Sequence, residues 1–328
     1  MNSWIAVAFS LALSIAGPAN AAEQATIASP SRELRVAVTG GSIYVRVNGD
    51  LAGPVAPVVL LHGGPGGTHR GLLPGLALAD ERAVILFDQL DSGASDRLND
   101  PRNWTVERFV DQIEAVRRAL KIDRWHVAGF SWGGTLALEY AARFPVATAS
   151  VTLGSPLIST RRWIADALVW RSQLPGEVQA VLIACEAPTK PAKDECDKAE
   201  AAFSARHLQR SPVPPALRDY HVAGDKGFNP VVYNHMWGPT EFTANGSLKN
   251  YDGEPLLRKI DGSKTLFITG QYDEARPETI LAYARGLSGS EVAIIPGAAH
   301  AMSIDRPAEW VAVLRAFLSR NDAPPPPK

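Results

Sequence analysis

The sequence predicts an α/β fold: a mostly parallel central sheet flanked by helices, with a helical cap inserted in the second half. Three observations lead there. Apolar, strand-like runs alternate with segments of helical spacing up to about residue 156. From about Leu157 to Lys249 the alternation breaks, no clear strand can be read, and Trp, Arg, Ala and Pro accumulate. The alternation then resumes from "KTLFITG" to "AVLRAFL". Strands that are apolar throughout and alternate with helices indicate a parallel sheet covered on both faces.

The chain opens with "MNSWIAVAFSLALSIAGPANAAEQ". Its apolar run, Ile5 to Ala16, is too short to span a bilayer. The helix breaker Pro18 and the small residues "ANAA" follow, which is the layout of a secretory signal cleaved after Ala21 or Ala22. The segment before the run has no Lys or Arg, so an uncleaved anchor is the competing reading. The expectation is a periplasmic or secreted protein with no stable membrane insertion after cleavage.

"ELRVAVTGGSIYVRVNGD" alternates around a Gly-Gly pair, as a hairpin does. "APVVLLHGGPGG" is a buried strand ending in a glycine-rich loop, and "RAVILFDQLDSGASD" repeats that form. "VERFVDQIEAVRRALKI" has helical spacing through Phe109, Ile113, Val116 and Leu120. "RWHVAGF", "TLALEYAARFP" and "ASVTLGSP" read as strand, helix and strand. The chain thus divides into a signal segment (1–22), a first part of the core (30–156), a cap (157–249), a second part of the core (250–320) and a Pro-rich tail (321–328). The tail, "NDAPPPPK", is expected to be disordered, because it cannot pack into a core. An insertion at this point sits over the carboxyl ends of the strands, where open α/β sheets bind ligands.

Composition sets further bounds. There are 33 basic and 34 acidic residues among 328, for a net charge of −1. The basic residues are scattered, so no nucleic-acid partner is expected. Cys185 and Cys196, both in the cap segment, suggest a disulfide if the chain is exported; two free thiols are the alternative. No histidine cluster accompanies them, and no metal is expected.

Gly129, Ser131 and Gly133 match G-x-S-x-G between a predicted strand and a predicted helix, the context in which a sharp turn exposes a nucleophilic serine. An ordinary strand-to-helix turn is the alternative. A serine needs a base, and the base an orienting acid. Of seven histidines, His126 falls inside a strand, while His207, His221 and His235 fall in the insertion. His62 is expected to bond locally, and His69 to be a surface or lining residue. His300 directly follows the strand "VAIIPG" and precedes the last helix, which suits a base. Asp273, just past the strand "TLFITG", lies between serine and histidine in chain order; a helix cap is its other reading. Asp252 and Asp261 lie away from strand ends and are expected to be solvated. In "HGGPGG", glycine lets the backbone approach a reacting group closely. The amides of Gly64 and Trp132 are the candidate oxyanion donors. A phosphate cradle is disfavoured, since no Lys-Ser/Thr follows the glycines and G-x-G-x-x-G is absent.

In order, "LHGGPGG", "FDQLDSGASD", "GFSWGGTLALEYAARFP", "MWGPTEF", "GQYDEARPET" and "GAAHAMSIDRPAEW" resemble the proline iminopeptidases of the α/β-hydrolase superfamily. The resemblance runs from about residue 57 to 320 and thins across the insertion. It implies a serine aminopeptidase with an α/β-hydrolase fold, no cofactor, and a small peptide or amide substrate carrying a free amino terminus. It also implies that Glu241 and Glu274 hold the substrate's α-ammonium group. Departures are Leu90-Asp91, where the group often has Arg-Gly, Phe130, where a small residue is common, and the secretory signal. An esterase, lactonase or amino-acid amidase on the same triad is the nearest rival, and a non-catalytic binding protein a second. Oligomeric state is left open.

Overall fold

A computed structural model describes residues 27–187 and 189–322. The expected signal segment (1–22) and the "APPPPK" end of the tail lie outside the described residues.

Arg32–Val38 (β1) and Gly41–Asn48 (β2) form the expected antiparallel hairpin, which turns through Gly40 at φ 93°. The other strands are Val58–Leu61 (β3), Val84–Phe87 (β4), Trp125–Phe130 (β5), Thr148–Gly154 (β6), Thr265–Gly270 (β7) and Glu291–Ile295 (β8). They form one sheet in the order β1-β2-β4-β3-β5-β6-β7-β8. β2 pairs antiparallel with β4, and every later pairing is parallel.

The continuous apolar runs have a direct cause. Successive side chains of a strand point to opposite faces, and here both faces are covered. Val59, Leu61, Ile85 and Phe87 pack on one side with residues of Val106–Ala119 (α1) and Trp132–Arg143 (α2), among them Phe109, Ile113, Leu136 and Tyr140. Val58, Leu60, Val84 and Leu86 pack on the other with Trp310, Leu314 and Phe317.

Between β6 and β7 the chain leaves the sheet and forms Thr160–Arg171 (α3), Gly176–Glu186 (α4), Lys193–His207 (α5), Pro215–Arg218 (α6) and Pro230–Met236 (α7). This cap has its own small core of Ala167, Leu174, Leu182, Ala199, Phe203 and Phe242. A disulfide joins Cys185 on α4 to Cys196 on α5. The two ends of the insertion meet: Ser159 and Asp252 form a bridge, Thr160 N–H donates to the Tyr251 carbonyl at 3.1 Å, and Gly253 N–H donates to the Ile158 carbonyl at 2.7 Å.

Pro277–Arg285 (α8), Met302–Asp305 (α9) and Pro307–Arg320 (α10) complete the core. The first residues of the expected tail are fixed rather than free. Asp322 takes two hydrogen bonds from the buried Arg82 guanidinium, both at 2.9 Å, and lies 3.1 Å from His126 Nε2. A tail with a carboxylate near its start can be held by a buried cation whatever its proline content.

Candidate active site

Ser131 occupies the turn from β5 into α2 at φ 58° and ψ −124°. Positive φ is costly for a residue with a Cβ and persists only where the surroundings impose it. Here Ser131 N–H donates to the Gly154 carbonyl at 2.8 Å, and the Ser131 carbonyl accepts from Gly134 N–H at 2.8 Å. The flanking glycines are a steric requirement. A Cβ on Gly129 would stand 1.9 Å from the Gly133 carbonyl oxygen, and one on Gly133 would stand 2.2 Å from that of Leu61.

Asp273 follows β7 and is 0% exposed. Its Oδ1 accepts from His300 Nδ1 at 2.8 Å and from Ala275 N–H at 3.0 Å. Its Oδ2 accepts from Ser155 Oγ, from Gly270 N–H at 3.2 Å and from Thr269 Oγ1 at 3.2 Å. The helix-cap reading of Asp273 fails, because α8 starts after Arg276 and the carboxylate is turned toward His300. With Nδ1–H given to Asp273, neutral His300 presents Nε2 as an acceptor. Its side chain is 16% exposed. Burial alone disfavours the imidazolium, but the Asp273, Glu274 and Glu241 carboxylates outweigh it and raise the His300 pKa to about 9.

Ser131 and His300 line one cavity of about 330 Å³, together with Gly63, Gly64, Trp132, Glu241 and Glu274. The cavity thus brings together the expected oxyanion and substrate-binding residues with Ser131 and His300, while Asp273 lies behind it, bonded to His300. Among the described residues, neither the Gly64 nor the Trp132 amide donates a hydrogen bond within the protein. Sequence reasoning passed over Gly63, whose added Cβ would come within 2.9 Å of Ser131 Cβ. It also missed Gln89, in "FDQ". Its Oε1 accepts from the Trp132 indole at 2.9 Å and its Nε2 donates to the His62 carbonyl at 3.0 Å, which braces the two loops against each other.

Glu274 is 3% exposed, with Oε1 3.5 Å from His300 Nε2. Among the described residues its Oε2 is buried without a hydrogen-bond partner. Burial first and the Glu241 charge second push its pKa well above the ordinary carboxylate value, against the pull of His300. Burial likewise raises Glu241, while a hydrogen bond from the Tyr233 hydroxyl opposes the shift. Both groups would gain by meeting a cation. Trp163, Tyr233 and Trp237 from the cap, with Phe130 and Leu157, give the cavity an apolar and aromatic wall.

One expectation needs correction, and two of the departing residues gain a reason. His69 is not a surface or lining residue: it is 1% exposed, with Nδ1 2.8 Å from Asp88 Oδ1 and Nε2 2.9 Å from the Tyr220 hydroxyl. Among the described residues, Asp91 of the departing Leu90-Asp91 pair is held by hydrogen bonds rather than by an ion pair. It accepts from the Trp104 indole and from the Leu98 and Asn99 amides, so its role is to shape the loop. Phe130 packs on Trp310 with ring centroids 5.2 Å apart and fills the space over Gly154, where a Cβ would clash with its ring.

Comparison with known proteins agrees with this geometry. A family profile described as the alpha/beta hydrolase fold matches residues 56–307. A proline iminopeptidase of Heyndrickxia coagulans is 37% identical over 282 residues, covering 86% of this chain and 96% of that protein. The crystal structure of the proline iminopeptidase of Mycobacterium smegmatis superposes with a TM-score of 0.78 at 33% identity, covering 88% of this chain and 98% of that one. The crystal structure of VinJ gives a TM-score of 0.81 at 30% identity, covering 89% and 99%. Fold, site geometry and relatives agree: the chain belongs to the proline iminopeptidase family of α/β hydrolases.

Proposed function

We propose that this chain is a serine aminopeptidase that releases amino-terminal proline from small peptides or amides. The observation that carries the reading is the unpartnered Oε2 of Glu274 in the wall of the cavity that holds Ser131, His300 and Glu241. A buried carboxylate oxygen left without a donor is costly. An α-ammonium group set between Glu274 and Glu241 supplies the donor and removes their mutual repulsion. It also fixes the first peptide carbonyl relative to Ser131, which turns a general acyl-transfer site into one that counts from the chain end. The aromatic wall suits a compact ring such as that of proline.

The reaction follows from the residues present. Ser131 Oγ attacks the carbonyl carbon while His300 Nε2 takes its proton, and the Gly64 and Trp132 amides bind the oxyanion. His300 then gives the proton to the departing amine as the C–N bond breaks. Water attacks the acyl-enzyme with His300 as base again, which frees the amino acid. Asp273 holds the imidazole in the required tautomer throughout.

The test is selective. Glu241→Gln lowers kcat/KM on a prolyl anilide roughly 100-fold, as expected for a lost positioning charge, and spares a simple acetate ester. Equal loss on both substrates, or on neither, rejects the ammonium site and leaves an esterase, lactonase or amidase. Failure of a fluorophosphonate to label Ser131 in the folded protein rejects catalysis.

Export to the periplasm or medium is part of the proposal. The residue order of the 1–22 segment and the Cys185–Cys196 disulfide support it. Intact mass of the protein from a periplasmic or culture fraction should correspond to a start at Ala22 or Glu23; a full-length cytosolic product overturns it.

A further inference from the structure

The cap reaches the two loops that carry Asp273, Glu274 and His300, and it does so through their backbone. Trp170 on α3 donates its indole N–H to the Asp273 carbonyl oxygen at 2.7 Å. His207, the last residue of α5, stacks on that indole with centroids 4.4 Å apart and planes 20° apart. Its Nδ1–H donates to the Tyr272 carbonyl at 2.8 Å. Its own carbonyl accepts from Glu274 N–H at 3.2 Å and from His300 N–H at 3.1 Å. One residue on, the Leu208 carbonyl accepts from Ala301 N–H at 2.7 Å. Every link ends on loop backbone and none touches a reacting atom.

Loops are the mobile parts of such a fold, yet a site works only when its groups are held to about 0.5 Å. The links meet that need from three directions. The indole holds the Asp273 peptide, the imidazole the one before it, and the His207 carbonyl ties the Glu274 loop to the His300 loop. α5 is in turn fixed by the disulfide to α4 and by Ala199 and Phe203 in the cap core. Burial pushes the His207 pKa below its usual value, and the Tyr272 carbonyl holds the ring proton on Nδ1.

We propose that Trp170 and His207 are positioning residues that set Asp273 against His300 and Glu274 against the incoming ammonium, so that catalysis requires a seated cap. The Glu274 half rests on the aminopeptidase reading; the Asp273–His300 half does not. His300 is faced by Asp273 and Glu274 from the loop after β7 and by Glu241 from the cap. Loosening the first two weakens their hold on the imidazolium.

The test uses three variants of the full chain. Trp170→Phe keeps the stack and removes the indole donor. His207→Ala removes the stack and the bond to Tyr272, and His207→Asn returns a donor near the Nδ1 position. Two quantities are read: kcat and KM on a prolyl anilide, and the pH profile of fluorophosphonate labelling at Ser131, which needs no amino group. Trp170→Phe and His207→Ala are expected to lower kcat about tenfold, with a smaller change in KM. They should also move the acid limb of labelling to lower pH, and His207→Asn should recover much of both. Wild-type kcat with an unmoved acid limb overturns the proposal, and so does a lower Tm with an unmoved acid limb. If His207→Ala does not fold, Trp170→Phe decides by the same readings. A wild-type protein that labels at Ser131 but leaves the anilide intact rejects the aminopeptidase reading, while the labelling profiles still decide the positioning role.

Discussion

His69 and His300 make the same bond to different ends. Each has Nδ1 2.8 Å from an aspartate Oδ1, and each aspartate, Asp88 or Asp273, is buried just past the carboxyl end of a parallel strand. The difference lies at the other ring nitrogen. His69 Nε2 meets the Tyr220 hydroxyl, which also accepts from Arg46 at 2.7 Å. His300 Nε2 lies in the cavity shared with Ser131, within 3.5 Å of Glu274 Oε1. An Asp–His pair is thus a base only where the protein leaves Nε2 to the substrate side; closed by a tyrosine, the same pair is a tie between the strand β2, a core loop and the cap.

The sharpest way to break this comparison is to change both aspartates alike. Asp273→Asn is expected to lower kcat by about 10⁴, through the wrong imidazole tautomer. Equal activity of Asp273→Asn and wild type in the anilide assay would remove Asp273 from the mechanism. Asp88→Asn should do the reverse: urea unfolding loses about 3–5 kcal/mol, as when one partner of a buried pair is removed, while kcat per folded molecule holds. The fold keeps the Asp88 pKa low because His69 outweighs the cost of burial. Its stabilisation is therefore present above the ordinary aspartate value and is lost as pH falls through the depressed one, so the gap between Asp88→Asn and wild type narrows in acid.

The next test uses charge. With His300 raised to about 9, kcat/KM should climb up to that pH, since it reports the free enzyme. Bound ammonium offsets Glu241 and Glu274, so the acid limb of kcat should lie lower; coincident limbs would contradict an ammonium seat. Glu274→Gln brings a smaller, thermodynamic effect. A raised carboxylate pKa means that the folded state holds its proton more tightly than the unfolded one, so stability falls as pH rises from the ordinary glutamate value to the raised one. Glu274→Gln should then be more stable than wild type by about 1–2 kcal/mol at pH 8, with the gain vanishing toward pH 4, as read by thermal melts. The smallest effect falls on the other pair: Tyr220→Phe opens His69 Nε2 and costs about 1 kcal/mol without conferring any activity on His69.

Much of this was legible in the sequence because its cause is local. Fully buried strands leave unbroken apolar runs, and a nucleophile turn needs its glycines at fixed offsets. His300 and Asp273 could be chosen because each directly follows a strand. The remainder depends on partners far along the chain. His69 looked like a lining residue because Tyr220, which closes it off, lies 151 positions away. Phe130 had no reason until Gly154 and Trp310 were beside it. Asp322 falls in a segment expected to be free because nothing nearby announces Arg82. The roles of Trp170 and His207 rest on contacts with loops 65 or more positions ahead, and the cap sequence has no pattern that names them.

The doorway between Ile158 and Gly253 has a consequence for how this scaffold can be rebuilt. Because the chain leaves and re-enters the core side by side, the whole roof is a cassette. It can be excised there and its ends rejoined by a tight turn, or exchanged for the roof of a relative, without disturbing strand order. The exchange has a condition: the new cassette must offer partners where the Trp170 indole, the His207 ring and carbonyl and the Leu208 carbonyl stand, or the loops beneath it lose their anchors.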